Sequence, residues 1–280
     1  MFSIEEAVKV IKQIARESGE IIMKHFYAQD FTEQTKATCA DIVTQADLES
    51  DAHIREQIKK HFPQAGMITE EGKDILPQNP GKEEVWFCAD PLDGTTNFSC
   101  GLPIFAVSIG ILDSEHQPIG GCVYDPSRDE MFWAIKGKGA FLDAKGKTIQ
   151  LHCRHKADLI NCLVATGFHP DHVSNPDNNI KELSAVLPKV RCIRRCGSAA
   201  LDLCYVGASR LDAYWENGPH IWDICAGWII ISEAGGVVTD YYGEPLTKQK
   251  LHENKIQLIA GSQENVTAIS KLIESVRPRH

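Results

Sequence analysis

The chain has 280 residues, 43% of them apolar and 24% charged, with a formal net charge of -9 at pH 7. That length suits one large two-part domain or two intimately packed halves, and the composition is that of a soluble globular chain rather than a disordered one. The acidic balance argues against nucleic acid as a primary ligand; no apolar run reaches the roughly 18 residues that span a bilayer, and residues 1–6 lack the basic and apolar regions of a signal peptide, so a cytoplasmic protein is expected.

Ser3 and Glu6 form a capping box, and Ile4, Val8, Ile11, Ala15 and Ile22 recur at helical spacing, which predicts a helix to about residue 26. A polar stretch with Lys36 and Asp41 follows as loop or hairpin. Thr44 then caps a second helix with Ile54, Ile58 and Phe62 on one face and Asp47 in its first turn, where the helix dipole favours a carboxylate. Strands at 85–89, 104–112, 119–124 and 131–134, divided by Asp, Pro and Gly turns, predict a largely antiparallel sheet. After residue 151, strands at 159–166, 190–194, 211–216, 237–241 and 256–260 alternate with helices at 179–187, 198–207, 221–234 and 266–276. Alternation of this kind predicts a more parallel sheet covered by helices. No repeat or flexible linker divides the chain, so a single domain over 1–280 is expected, with a soft internal division near 150. The ten cysteines have no framework spacing and read as reduced thiols; Cys88, Cys122 and Cys162 lie in apolar runs and are expected in the core. His152, Cys153, His155, Cys192 and Cys196 fit no standard zinc-finger spacing.

The densest chemistry lies at Asp90-Pro91-Leu92-Asp93-Gly94-Thr95-Thr96-Asn97-Phe98, at the end of the strand-like run 85–89. Pro91 fixes its φ and Gly94 relaxes steric limits, so a turn there can aim Asp90, the Leu92 carbonyl and Asp93 at one point. Oxygen ligands of this kind select Mg²⁺ or Mn²⁺ over zinc. Glu70 ends a short apolar run, and Asp223 stands at a helix start. Glu70, Asp90, Asp93 and Asp223 together can hold two divalent ions, with Asp47 completing a third position or orienting a water. Taken singly, each also reads as a helix cap or a solvated turn. Thr95, two residues beyond Asp93, is placed to hold an attacking water with Asp47 accepting its proton; the alternative for Thr95 is a helix cap.

These segments, in this order, resemble the inositol monophosphatase family of lithium-sensitive, magnesium-dependent phosphatases. The resemblance spans nearly the whole chain. It is carried by Glu70-Glu71, the Asp90 to Phe98 motif, Trp222-Asp223-Ile224-Cys225-Ala226-Gly227 and Glu233-Ala234-Gly235-Gly236, and joined by Lys36, Asp41, Asp47, Gly197-Ser198-Ala199-Ala200 and Glu216. Gly72, where many relatives have Ser, and Asn217 are departures that leave the metal ligands intact. The resemblance implies a mixed α/β (α+β) fold of stacked layers: helix, sheet, helix, sheet, helix. It implies two or three Mg²⁺ per active site, with Mn²⁺ as a substitute: Glu70, Asp90, the Leu92 carbonyl and Asp93 around the first ion, and Asp90, Asp93 and Asp223 around the second. Glu70 joins Asp47 and Thr95 in the catalytic set.

The N–H groups of residues 94–96 and the helix start at Gly197, Ser198 and Ala199 are natural anion seats or ordinary caps. Substrate would also touch Glu70, Leu92, Asp93, Gly94, Thr95 and Asp223. Glu216, after a strand, would accept hydrogen bonds from substrate hydroxyls, and an anion there suits a polyol better than a second phosphate. Arg191, Arg194 and Arg195 read as a second phosphate site, a subunit contact or a solvated strand face. The expected reaction is therefore hydrolysis of inositol monophosphate, with fructose bisphosphate, histidinol phosphate and nucleotide branches of the family as alternatives. A dehalogenase-type phosphatase needs Asp-x-Asp, and here the spacing is Asp-x-x-Asp. The resemblance also implies a homodimer and, in some bacterial relatives, a second role in binding the transcription machinery.

Overall fold

A computed structural model of the chain describes residues 2–29, 31, 33–35, 42–78, 81, 84–156, 158–168, 177–251 and 256–278; Lys36 and Asp41 lie outside the described residues. Ser3 caps α1 (Ile4–Ala28) by accepting the Glu6 N–H, and Val8, Ile11, Ala15 and Ile22 of the expected stripe are buried. The polar stretch contains the hairpin alternative, β1 (Glu33–Thr35) antiparallel to β2 (Ile42–Thr44). β2 runs into α2 (Gln45–His61), with Thr44 as N-cap and Ile54 and Ile58 buried.

Seven strands follow: β3 (Gly66–Thr69), β4 (Trp86–Asp93), then after the short α3 (Thr95–Ser99) β5 (Ala106–Leu112), β6 (Pro118–Asp125), β7 (Glu130–Ile135), β8 (Gly139–Ala144) and β9 (Lys147–Gln150). They pair in chain order, antiparallel apart from β3 with β4. β8 and β9 exceed the sequence expectation. β9 is exposed at all four positions, so no apolar periodicity marks it, and its ladder to β8 is what holds it in the sheet.

The second half supplies β10 (Leu163–Thr166), α4 (Ile180–Val186), β11 (Cys192–Arg194), α5 (Ala199–Gly207), β12 (Ala213–Asn217), α6 (Ile221–Glu233), β13 (Val237–Thr239), α7 (Lys248–Leu251), β14 (Gln257–Gly261) and α8 (Gln263–Glu274). The strand expected at 159–166 begins later, because Leu159–Asn161 closes a 3-10 turn. The sheet order is β11-β10-β12-β14-β13, parallel through the first three strands and antiparallel at β14. The expected parallel character thus holds for half the sheet. Among its described residues the link from β13 to β14 carries the four-residue α7, and it reverses direction.

Helices α1 and α2 cover one face of the seven-stranded sheet, α5 and α6 lie between the two sheets, and α8 covers the outer face of the second with α4 against it. The order is the expected helix, sheet, helix, sheet, helix. α6 is apolar nearly all round, with Ile221, Ile224, Cys225, Ile229, Ile230 and Ile231 buried, as a helix between two sheets must be. Glycine in the sheet lets it approach closely: a Cβ at Gly110 would lie 2.5 Å from Cys225 Sγ, and one at Gly121 3.0 Å from Ala226 Cα. That approach carries the start of α6 to the end of β4. Cys88, Cys122 and Cys162 are buried as expected. No helix among the described residues is long and apolar enough to cross a membrane.

Candidate active site

β4 does not stop at Ala89 but continues through Pro91 to Asp93. Asp90 pairs with Ser108 and Asp93 with Ala106, so three steps on β4 face two on β5. This is a bulge, and it decides the geometry. Residues three apart on a regular strand point to opposite faces, whereas one extra residue lets both carboxylates turn to the same side. Pro91, which has no N–H to lose, sits at the irregularity. The Ser50 hydroxyl of α2 donates to the Pro91 carbonyl at 2.9 Å, and the Leu92 N–H donates to Asp90 Oδ1 at 2.9 Å. The acidic turn expected from the sequence is therefore an irregular strand end braced by α2.

Asp223 arrives from the first turn of α6, where it accepts the His220 N–H at 2.7 Å. Carboxylate oxygens of Asp90, Asp93 and Asp223 lie within 4.8 Å of one another. Burial, with repulsion from Glu70, Asp93 and Asp223, pushes Asp90 well above the usual carboxylate range. Burial with repulsion from Asp93 and Glu70 does the same to Asp223. Asp93 is pushed up to about 6 by burial, against the bonds it accepts from Ser198 and Ala200. Among the described residues no Lys or Arg forms an ion pair with these three. Glu70 lines the same cavity but is not one of the converging three. A set of hard oxygen donors from Asp90, Asp93 and Asp223, with no Lys or Arg ion pair among the described residues and only the His220 imidazole 3.9 Å from Asp223 Oδ2, fits a hard divalent cation.

Gly94, at φ 104°, is the N-cap of α3, so Thr95 is the first helical residue and not the cap. Its Oγ1 lies 2.9 Å from Asp47 Oδ1 and 3.1 Å from the Leu92 carbonyl oxygen. The other Asp47 oxygen accepts the Thr44 N–H at 2.8 Å and the Thr44 hydroxyl at 2.5 Å. Burial pushes Asp47 up to about 6 in spite of these bonds.

The start of α5 already holds an anion, and it is the protein's own. Asp93 Oδ2 accepts the Ser198 hydroxyl at 2.5 Å and the Ala200 N–H at 2.7 Å. Glu216, at the end of β12, accepts the Tyr214 hydroxyl, and burial pushes it up to about 7. Gly167 makes room for it, since a Cβ there would fall 2.2 Å from Glu216 Oε1. Of the three arginines, Arg195 lines the cavity, while Arg191 donates to Asn161 at 3.1 Å and Arg194 to Cys192 Sγ at 2.9 Å. The cavity has a volume of about 250 Å³ and gathers Glu70, Asp90, Leu92, Asp93, Gly94, Thr95, Gly197, Ser198, Ala199, Glu216 and Asp223. Asp47 stands behind it, reached through Thr95.

The model of the inositol monophosphatase family matches residues 3–277. The chain belongs to the inositol monophosphatase family. It is 40% identical over 228 residues to the Nus factor SuhB of Haemophilus influenzae, covering 81% of this chain and 82% of that one. It is 38% identical over 240 residues to the inositol-1-monophosphatase of a Synechocystis species, covering 82% and 80%. The solved inositol monophosphatase of an Anabaena (Nostoc) species superposes with a TM-score of 0.83 at 33% identity, over 98% of each chain.

For an inositol monophosphatase family member, the cavity holds residues that sequence reasoning passed over: Gly167, Phe168, Pro219 and above all Asp202. Gly167 and Asp202 carry no local motif. One is a lone glycine after a strand, the other an acid in the first turn of a helix, where acids are common anyway.

Proposed function

We propose that the chain is a Mg²⁺-dependent phosphomonoesterase that releases inositol and phosphate from inositol monophosphate by attack of water. The observation that carries this reading is the convergence of Asp90, Asp93 and Asp223 beside the Thr95 to Asp47 hydrogen bond. Asp90, Asp93 and Asp223, with Glu70 and the Leu92 carbonyl, would hold two or three Mg²⁺, or Mn²⁺ in their place. A divalent ion held there would supply charge neutralisation of the phosphoryl oxygens and would lower the pKa of a water. The Thr95 hydroxyl orients the attacking water by donating its proton to Asp47 and turning its oxygen lone pairs outward. Asp47, pushed up to about 6 by burial, takes the Thr95 proton at Oδ1 as Thr95 Oγ1 takes one from the attacking water. Gly94 shapes the phosphate seat, the start of α5 holds Asp93 beside it, and Glu216 accepts hydroxyls of the alcohol.

A panel of phosphate esters assayed with Mg²⁺ tests this reading. Inositol 1-phosphate should be preferred over fructose 1,6-bisphosphate and nucleotides, and lithium should inhibit. Turnover that survives EDTA with no metal added would sink the mechanism. The reading includes a cytoplasmic homodimer; light scattering at the 31.1 kDa chain mass would reject the dimer. The name Nus factor SuhB among the relatives favours a second role in binding the transcription machinery. Co-purification of RNA polymerase with an inactive Asp93→Asn variant would support it, and failure of the wild type to retain polymerase would count against it.

A further inference from the structure

One buried carboxylate of the cavity has no part in the chemistry above. Asp202 lies in the first turn of α5, is 2% exposed, and lines the cavity with Glu216, Arg195 and Ser198. Its Oδ1 is buried without a hydrogen-bond partner. Buried polar atoms in folded proteins are paired, so an orphan acceptor at a cavity wall points to a ligand that completes it. A metal is not that ligand: among the described residues the ligating atoms that converge are those of Asp90, Asp93 and Asp223. Nor does a Lys or Arg form an ion pair with Asp202 among the described residues. Burial pushes it well above the usual carboxylate range; the nearby Cys196 thiol and the Arg195 charge oppose that rise, while Glu216 and Asp93 repel its charged form.

We propose that Asp202 sets specificity by accepting a hydroxyl of the substrate beside the one that Glu216 accepts. The pair then favours a cyclic polyol or sugar monophosphate with two neighbouring hydroxyls remote from its phosphate. A hydroxyl both donates and accepts, so it pairs with Asp202 whether or not the carboxyl carries a proton. Tyr214 already occupies Glu216 Oε2, which leaves Oε1, lying against Gly167, for its own substrate hydroxyl.

This inference rests on the phosphatase reading, and the experiment separates the two. The kinetics of the wild type, Asp202→Ala and Asp202→Asn are compared in Mg²⁺ with myo-inositol 1-phosphate and with 4-nitrophenyl phosphate, which has no alcohol hydroxyl. The ratio of kcat/KM for the inositol ester over the aryl ester should fall about ten- to a hundredfold in Asp202→Ala, through KM, on the scale of a hydrogen bond to a charged group. Asp202→Asn keeps the shape and one acceptor, so its ratio should fall less; it answers the question if the alanine variant does not fold. A ratio within about twofold of wild type in a folded variant overturns the role of Asp202 and leaves the phosphatase standing. A wild type that hydrolyses neither ester overturns both.

Discussion

Two buried carboxylate sites in this molecule are solved in opposite ways. Asp212, fully buried, accepts Arg154 Nε at 2.9 Å, Lys156 Nζ at 2.8 Å and the Leu163 N–H at 2.7 Å. Burial raises its pKa, but Lys156, the Leu163 amide and Arg154 outweigh burial and hold it below the usual range. Asp90, Asp93 and Asp223 are pressed together with no Lys or Arg ion pair among the described residues, and all three are raised. Where the chain supplies the counter-charges, the acid is a brace that ties the start of β12 to β10 and to the segment of Arg154 and Lys156. Where no described Lys or Arg pairs with the acids, their mutual repulsion is an electrostatic demand that an ion or substrate would meet.

The largest effect should come from breaking the uncompensated site. Asp90→Asn should lower kcat/KM by about 10³-fold or more, the scale of losing a preorganised charge at the reacting centre. The same substitution should raise Tm in EDTA, because it removes a charge that its neighbours repel. Lower Tm together with lost activity would show that Asp90 is a brace like Asp212. Thr95→Ala is next: it deletes the hydroxyl between Asp47 and the Leu92 carbonyl while leaving the three carboxylates in place. Its kcat should fall by about 10²-fold with Mg²⁺ affinity retained, measured by steady-state kinetics and metal titration. Wild-type kcat would leave Thr95 as the first residue of α3 and nothing more.

How far these two sites could be read from the sequence differs as well. Although each alone also reads as a cap or a solvated turn, Asp90 and Asp93 stand out as chemistry in combination, two carboxylates around a proline at a strand end ahead of Gly94 and Thr95. Their common direction does not, since it arises from a bulge against β5 that exists only once the strands pair. Asp223 reads as a helix start, but its meeting with Asp90 depends on Gly110 and Gly121 admitting α6, and those look like ordinary strand glycines. Asp202 is hidden for a related reason. Leu201-Asp202-Leu203 reads as one turn of an amphipathic helix with a solvated acid, whereas α5 is sandwiched between sheets and has no such face there. The helices and apolar strands were legible because α1, α2 and those strands repeat strongly, whereas their stacking in layers came from the family resemblance; β9 was not legible, because an exposed edge strand needs no apolar side chains.

Smaller effects sharpen the contrast. Glu216→Gln should raise KM for inositol 1-phosphate about tenfold relative to an aryl phosphate, because a neutral amide accepts a hydroxyl more weakly than a carboxylate. Equal changes for both esters would move Glu216 out of substrate recognition. Asp212→Asn should behave conversely. It leaves Lys156 and Arg154 facing an amide and should cost about 1–3 kcal/mol, or several degrees in Tm, with kcat held. Both cations are partly exposed, with side chains at 43% for Arg154 and 27% for Lys156, so solvent screening places the loss at the low end.

The finest test is the pH dependence of metal stabilisation. Asp47 and Asp93 are raised to about 6 from the ordinary 3.8, so in metal-free protein their contribution to stability is full below 3.8 and is lost as pH rises through about 6. Asp212 has the opposite sign: its contribution is present above 3.8 and is lost only as pH falls through its lowered value, outside this window. A cation must displace protons from the raised carboxylates, so its stabilising effect should grow over the range in which they ionise. The difference in Tm between saturating Mg²⁺ and EDTA should therefore widen steadily from about pH 5 to pH 7, and Asp90→Asn should flatten the curve while Asp212→Asn leaves it sloped. A difference independent of pH in the wild type would mean that the ion binds elsewhere, and the two carboxylate sites would then differ only in their neighbours and not in their task.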